Sequence, residues 1–182
     1  MYSDEIVILC ATVPEVPATP TTTNVLEQVV FDWSTPVNNG LPVTSYKVLI
    51  RQSDNQYEEI IDYCNGAQSI IVTVTECTIP LSTLTSEPFN LVLNDSIDAM
   101  VEAYNAYGTS GFSAVGGGAL IQYVPDAPID LTTEPDSTSA TQVSFSWSDG
   151  LSDGGAAVID YRIYYDQSTG TWTELDAGIT QK

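Results

Sequence analysis

One pattern of residues occurs twice along this chain, and it constrains the fold more than any other feature. In the first copy, a Pro-x-x-Pro segment precedes an alternating strand that ends at Trp33, and Tyr46 follows a turn containing Gly and Pro. About 111 to 115 residues later, a second Pro-x-x-Pro segment precedes Trp147, and Tyr161 follows. A repeat of this length, with proline at its boundaries and a lone Trp in a strand, is typical of tandem β-sandwich modules.

The apolar residues alternate with the period of a half-buried strand. Val29, Phe31 and Trp33 share one face of the first strand, and a second alternating run begins at Tyr46. Helical spacing does not persist beyond one turn, so we expect no helix. The glycines at 116–118 are expected to form a loop or bulge. Further strands are predicted at residues 58–63, 70–74, 98–104 and 119–123.

The same residues resemble the fibronectin type III family. The proline pattern, the strand Trp, a Gly-x-Pro-Val-x-x-Tyr segment ending at Tyr46, and the stretch Val-Glu-Ala-Tyr-Asn-Ala-Tyr-Gly-Thr-Ser at 101–110 carry this resemblance. Within the family, residues 77–80, 88–91 and 125–129 are similar to repeats of very long protist surface proteins.

The resemblance implies an all-β chain of tandem fibronectin-type-III-like, immunoglobulin-like sandwiches. Its implied core markers are Trp33, Tyr46, Trp147 and Tyr161. The chain departs from the family near residue 97, where the corner Tyr is missing, and it has no Arg-Gly-Asp motif.

The phase of the repeat predicts module boundaries. Residues 1–13 are expected to be the last strand of a preceding or neighbouring module, 14–124 a complete module, and 125–182 the N-terminal part of a second, incomplete one. Two explanations stay open. Either the chain is a window from a longer tandem array, or a terminal strand is donated into the incomplete module of a neighbouring copy.

Charge narrows the choice of partners. The chain has 4 basic and 24 acidic residues, a net charge of −20, and no His. Nucleic acid and anionic membranes are disfavoured because binding them needs clustered Lys and Arg. The acidic residues are expected to form a solvated, mutually repelling surface, with weak divalent-cation binding as the alternative. The apolar stretch at 6–13 is too short to span a membrane, and no secretory signal is visible.

Cysteine usage favours an oxidising compartment. With no His and three Cys, a zinc site would lack ligands, so a disulfide between Cys64 and Cys77 is predicted, with two buried free thiols as the alternative. Cys10 is left over, either buried or paired with residues outside this sequence.

Two segments are candidates for glycosylation. Asn94 begins an Asn-Asp-Ser sequon, which agrees with a secretory route. A threonine-rich run could carry O-linked sugar or could form an ordinary first strand. Its acceptor candidates are Thr19, Thr21, Thr22 and Thr23.

The sequence contains no pattern that predicts catalysis. Without His, a Ser or Cys nucleophile lacks its usual base. Glu58 and Glu59 fall on opposite faces of a predicted strand, so they do not predict a shared acid/base cleft. The segment at 149–154 is interpreted as a turn, since its ligand spacing falls short of a calcium loop. We therefore expect neither cofactor nor metal.

These observations predict a structural, non-catalytic segment of an extracellular or cell-surface array or filament. Its expected partners are adjacent copies or flanking modules, with glycans attached to the chain. One alternative is an adhesion or ligand-binding module that uses the loops at 38–41 and 149–155. The second alternative is an accessory domain of a large secreted enzyme.

Overall fold

The computed structural model describes residues 10–182, which form two compact units divided between Ile121 and Gln122. We call them the first module and the second module. The predicted terminal strand at 1–13 lies almost entirely outside the described residues. Cys10, where the description starts, is exposed and has no disulfide partner within it.

The first module contains eight strands and two short helices. In chain order they are β1 (Thr21–Val25), β2 (Gln28–Asp32), β3 (Ser45–Arg51), β4 (Tyr57–Glu58), α1 (Ser69–Val74), β5 (Glu76–Pro80), α2 (Leu81–Leu84), β6 (Ser96–Asn105), β7 (Gly108–Phe112) and β8 (Gly116–Leu120). One antiparallel sheet has the order β1-β2-β5, and the other has the order β4-β3-β6-β7, with β8 also paired to β6. This is the strand arrangement of a fibronectin-type-III-like sandwich.

The core lies between these two sheets and follows the alternation of the sequence. Val29, Phe31 and Trp33 from one sheet are at most 2% exposed, and Tyr46 and Ile50 from the other are similarly buried. The rings of Trp33 and Tyr46 meet edge to face, with centroids 5.3 Å apart and planes at 69°. Burial raises the pKa of the Tyr46 phenol.

Side chains of β1 substitute for backbone groups where β8 joins the sandwich. The Thr22 hydroxyl donates to the Ile97 carbonyl at 2.8 Å and accepts from the Ala119 N–H at 2.9 Å. The Asn24 amide likewise bonds both the N–H and the carbonyl of Leu120. Three of these four bonds attach β8 to β1 without a backbone ladder, and the bond to the Ile97 carbonyl attaches β1 to β6.

The glycine run at 116–118 lies in β8 and forms a bulge there, one of the two predicted alternatives: Ile97 pairs with Ala119 and Ala99 pairs with Gly116, so Gly117 and Gly118 stand against the single residue Asp98. A Cβ at Gly116 would lie 1.9 Å from the carbonyl oxygen of Pro20, and one at Gly118 would lie 2.8 Å from that of Thr22. Glycine is required here because β8 passes directly over the backbone at β1.

Two other predicted elements differ from the structure. The segment 70–74 was expected to be a strand but lies in α1, and the strand expected at 58–63 is only the two-residue β4. The six residues of α1 span about 9 Å as a helix and would span about 20 Å as a strand. The compact form lets the chain return to Cys77, which is bonded to Cys64. The expectation of no helix is wrong here and at α2.

The second module consists of two strand pairs. Its elements are β9 (Ile129–Thr133), a 3₁₀ turn (Pro135–Ser137), β10 (Phe145–Ser148), β11 (Tyr161–Tyr165) and β12 (Thr173–Ile179). Strand β9 pairs with β10 and β11 with β12, both antiparallel. Thr133 stands opposite Phe145 as Thr22 stands opposite Phe31, so β9 and β10 are equivalent to β1 and β2.

The aromatic pair is also repeated. The rings of Trp147 and Tyr161 have centroids 5.3 Å apart and planes at 71°, nearly the geometry of the first module. Strand β11 is therefore equivalent to β3, and β12 occupies the position of β4. The described part of the second module has no strands equivalent to β5–β8.

Candidate docking surface of the second module

The second module exposes the apolar face that the first module buries. Val143 is 66% exposed, whereas the equivalent Val29 is fully buried. Tyr165 is 51% exposed, whereas the equivalent Ile50 is fully buried. Leu131 on β9 is 73% exposed. Apolar side chains placed side by side on an open face are typical of an interaction surface.

This face forms a groove between the two strand pairs. The groove has a volume of about 600 Å³. Both strand pairs contribute mainly apolar side chains to it, among them Leu131, Val143, Phe145, Ile163, Tyr165 and Leu175. We call this groove, together with the adjoining edge of β11, the docking surface.

One edge of β11 carries unpaired backbone groups. In the first module, β3 pairs with β4 on one edge and with β6 on the other. In the second module, β11 pairs with β12, and no described strand lies on its other edge. Such an edge presents N–H and carbonyl groups that can bind another strand.

A basic side chain lies on this strand. Arg162 occupies the position of Lys47, its side chain is 64% exposed, and its guanidinium lies 3.7 Å from Glu174. The hydrogen bond to Tyr164 and the charge of Glu174 raise the pKa of Arg162. In the first module, Lys47 stands opposite Glu102 on β6.

Glu102 also interacts with a neighbouring phenol. The Tyr104 hydroxyl donates to Glu102 Oε2 at 2.7 Å, and this hydrogen bond raises the pKa of Tyr104 to about 12. Lys47 stands opposite Glu102 in the ladder, but its ammonium forms an ion pair with Glu59, at 3.7 Å.

Each module contains an unpartnered buried indole. Trp33 Nε1 and Trp147 Nε1 both lack a hydrogen-bond partner, as does the Tyr46 hydroxyl. Because this feature occurs in the complete module too, it belongs to the shared Trp and Tyr packing and does not mark a ligand site.

The two candidate binding loops are turns fixed by their own side chains. Asn38 Oδ1 accepts from the Gly40 N–H at 3.1 Å, and Asp153 Oδ1 accepts from the Gly155 N–H at 2.8 Å. A second groove, of about 690 Å³, adjoins residues 149–153. Among the residues that the structure describes, no group of three or more His, Cys, Asp or Glu is placed to hold a metal ion.

The cysteines expected to pair do form a disulfide, with Cα atoms 5.3 Å apart. Cys64 and Cys77 are both buried, and Cys77 lies on β5 directly opposite Phe31. The disulfide thus connects the segment before α1 to β5, an edge strand of the smaller sheet.

The candidate glycosylation residues lie in different settings. Asn94 is exposed in a turn with φ of 70°, and its N-linked sugar stays a prediction. Thr22 is buried with its hydroxyl bonded on both sides, so it cannot accept a sugar in the folded module. Thr19, Thr21 and Thr23 are exposed, and their modification also stays a prediction.

Sequence reasoning missed the part that Thr22 and Asn24 have in closing the first module, because no local pattern distinguishes them from other strand residues. It also missed the basic position shared by Lys47 and Arg162. The signal for that position was available, since both residues directly follow the repeated Tyr.

Comparison with models of known protein families gives no match, and comparison with curated proteins gives none. Among solved structures, the chain is similar to a set of domains from titin, with 20% identity and a TM-score of 0.43 over 60% of this chain and 32% of that one. It is also similar to a structure of titin kinase and its flanking domains, with 19% identity and a TM-score of 0.43.

The match to the titin kinase structure covers 58% of this chain but only 17% of that one. Another similar structure, the FN3tt domain, is matched over 97% of its length with 18% identity and a TM-score of 0.37. At these levels of likeness, the fold assignment depends on the strand order described above. The resemblance to protist surface repeats stays a prediction.

No helix in residues 10–182 is both long and apolar enough to cross a membrane.

Proposed function

We propose that this chain is a structural, non-catalytic segment of an extracellular or cell-surface array built from repeated β-sandwich modules. Strands from adjacent copies or flanking modules complete its open module. The single observation that carries this proposal is a comparison of the two modules. Both contain the same Trp and Tyr geometry, but the first module buries its apolar face and the second exposes the equivalent face.

Two further features support the proposal, the first for an extracellular setting and the second for a repeated array. The disulfide between Cys64 and Cys77 is of a kind that persists in oxidising compartments. The net charge of −20 keeps repeated modules apart in solution except where specific surfaces meet.

Assembly is tested by analytical ultracentrifugation and electron microscopy over a range of protein and salt concentrations. Higher protein concentration is expected to give larger species, and added salt is expected to promote them by screening the acidic surface. Leu131→Asp should suppress assembly because it places a charge in the groove. Leu26→Asp is the matched control, since Leu26 is 89% exposed on a turn of the first module. Isolated compact monomers under all conditions would contradict the proposal.

A second candidate function is adhesion through the loop at 149–155. The observation that favours it is the groove of about 690 Å³ beside this loop, lined by polar and apolar residues. A glycan and protein array provides the test. Saturable binding that is lost on Asp153→Ala but kept on Asn38→Ala would support this function, and uniform absence of binding would exclude it for the ligands displayed.

A further inference from the structure

We propose that a second copy of this chain packs against one uncharged side of the first module, so that two such modules lie side by side. This side consists of the exposed residues of two segments, 16–20 and 108–116, and we call it the uncharged side. The contact goes beyond the proposed function, because neither the open face of the second module nor a strand from another copy takes part in it.

Charge is distributed unevenly along the first module. Residues 27–102 contain eleven acidic and two basic residues, whereas residues 16–26 and 103–121 contain no charged residue. Glu15 is the acidic residue just before the first uncharged segment, and its carboxylate accepts from Asn39 Nδ2 at 3.2 Å. A chain with a net charge of −20 therefore has two long segments of one module without a carboxylate.

The four sheet edges of the first module show the same asymmetry. Strands β1 and β5 are the edges of the smaller sheet, and β4 and β7 are the edges of the larger one. Strand β4 contains Glu58 and β5 contains Glu76, whereas β1 and β7 contain no charged residue. Charged side chains on edge strands hinder association between sheets of different molecules. This protection is present on β4 and β5 and absent from β1 and β7.

The two uncharged segments lie next to each other in the fold. At the start of β7, a Cβ at Gly108 would lie 3.1 Å from Val13 Cγ1. At the start of β8, a Cβ at Gly116 would lie 1.9 Å from the carbonyl oxygen of Pro20. The segment before β1 therefore runs beside β7 and the residues that follow it, and the uncharged side is continuous.

The segment before β1 buries its prolines and exposes the residues between them. Pro14, Pro17 and Pro20 are buried, a spacing of three that matches the period of a polyproline II helix. Val16 is 50% exposed between two of these prolines, and Val115 is 51% exposed on the neighbouring segment. The other exposed residues of the uncharged side are Ala18, Thr19, Thr109, Phe112 and Ala114.

The expected contact is packing of side chains and not addition of a strand. Tyr104 pairs with Thr109 and Glu102 pairs with Phe112, so β7 has one residue more than β6 between these pairs. A bulge of this kind twists an edge strand away from a regular ladder. A two-fold symmetric contact would instead place the uncharged sides of the two copies face to face.

The absence of carboxylates favours an acidic occupant. Carboxylates on a docking surface attract a basic partner and repel an acidic one. A surface without them gives no advantage to a basic partner but lets an acidic partner approach. With a net charge of −20, a second copy of this chain is such a partner.

The test uses the full chain carrying Leu131→Asp, which places a charge in the groove of the second module and so leaves the uncharged side to act alone. Sedimentation equilibrium measures its mass over a range of protein and salt concentrations. We expect a monomer–dimer equilibrium that shifts toward dimer as salt is added, because salt screens the repulsion between the remaining acidic surfaces. A mass that stays monomeric up to millimolar protein would overturn the inference.

A matched pair of substitutions locates the contact. Val115→Asp should weaken dimerisation about tenfold or more, because a two-fold contact would then contain two new carboxylates. Ile61→Asp is the control and should change dimerisation by less than about twofold, since Ile61 is 60% exposed among the acidic residues of 58–62. Both positions are exposed, so the fold should tolerate both changes. Equal weakening by the two variants would contradict a contact through the uncharged side.

Amide hydrogen exchange provides an independent location. The N–H groups of Val16, Ala18 and Thr19 donate no backbone hydrogen bond within residues 10–182, so they should exchange rapidly in the monomer. Raising the protein concentration should slow their exchange and that of residues 109–115. Slowing confined to β4, α1 or β5 would place the contact on the acidic side of the module and would show the inference to be wrong.

A chain lacking residues 1–9 controls for coverage by this chain's own N-terminal residues. It should dimerise as the full chain does. Dimers that form only after this deletion would show that residues 1–9 cover the uncharged side in the full chain, and the inference would then be wrong.

This inference and the proposed function fail separately. Large assemblies that are lost on Leu131→Asp and kept on Val115→Asp would support the array and overturn the contact through the uncharged side. Dimers that respond to Val115→Asp alone, with no larger species at any concentration, would support this contact and contradict the array.

Discussion

The two modules share one aromatic pair and differ in nearly everything that surrounds it. Ring centroids are 5.3 Å apart in both, yet Val29 is fully buried and the equivalent Val143 is 66% exposed. The difference shows that the first four strands are sufficient to place the Trp and the Tyr. Burial of the apolar face requires the strands that follow.

The chain after α1 contributes more than half of the core of the first module. Its buried core residues, from strands, α2 and connecting segments, are Cys77, Ile79, Leu81, Leu84, Phe89, Leu91, Ile97, Ala99, Val101, Ala103, Ala119 and Ile121. The described second module has no equivalent of these residues, so its aromatic pair is covered on one side alone. The same residues substituted in each module should therefore have unequal effects on stability.

The largest expected difference is at the phenylalanine that precedes each Trp. Phe31→Ala should lower the free energy of unfolding of the first module by about 3–5 kcal/mol, since Phe31 is fully buried. Phe145→Ala should cost about 1 kcal/mol because Phe145 is partly exposed. Urea unfolding with hydrogen exchange in each module measures both. Equal losses would show that the second module is closed in solution.

The second-largest difference in stability between the modules is expected when the disulfide is removed. Replacing Cys64 and Cys77 together by Ser should destabilise the first module by about 3 kcal/mol, the value for a closed loop of this length. The second module should keep its hydrogen-exchange pattern. Cys10→Ser is the control and should leave both modules unchanged, since Cys10 is exposed.

A smaller difference is expected at a threonine on the first strand of each module. Thr22→Val should cost about 1–3 kcal/mol because it leaves the Ile97 carbonyl and the Ala119 N–H buried without partners. Thr133→Val, at the equivalent exposed position, should change stability by less than about 0.5 kcal/mol. Thermal unfolding of the two variants provides the comparison. Similar losses of stability in both would contradict the stabilising part assigned to the hydrogen bonds of the Thr22 hydroxyl.

The smallest effect is a pH dependence confined to the first module. The pKa of Tyr104 is raised to about 12 by its hydrogen bond to Glu102. A raised folded pKa gives stability that is fully present below the unfolded value, about 10, and is lost as the pH rises toward about 12.

Ultraviolet titration should show two phenols ionising late in the wild type, Tyr46 and Tyr104, because the pKa of each is raised. Glu102→Gln should bring the Tyr104 step to lower pH, and Tyr104→Phe should remove that step while the Tyr46 step stays. A titration that Tyr104→Phe leaves unchanged would contradict the assignment.

Much of this fold could be predicted from sequence where a residue pattern matches one strand. The alternation at Val29, Phe31 and Trp33 placed β2 and its buried face, and the cysteine count indicated the disulfide. Predictions failed where a distant segment decides the conformation. The β-branched run in α1 favours a strand, but the connection back to Cys77 requires a short helix. The glycines at 116–118 predicted a loop or bulge, and of these the bulge forms, within β8. What the sequence did not show is that the backbone at Pro20 and Thr22 packs against them.

The candidate site was predictable only in outline. The repeat predicted a second copy of the Trp and Tyr strands, but it did not show which edge or face of that module is open within the described residues. That required the pairing of β11 with β12 on one side only, and the exposure of Leu131 and Val143.

Sequence alone determined the repeat, the Trp and Tyr spacing and the acidic composition, because each depends on residues whose chemistry or periodicity acts locally. It predicted the disulfide, which the structure confirms. Only the tertiary structure decided that Tyr46 is buried while Tyr165 and Val143 are exposed. Burial depends on which strands arrive from elsewhere in the chain, and local periodicity specifies the face a side chain is on but not what covers it.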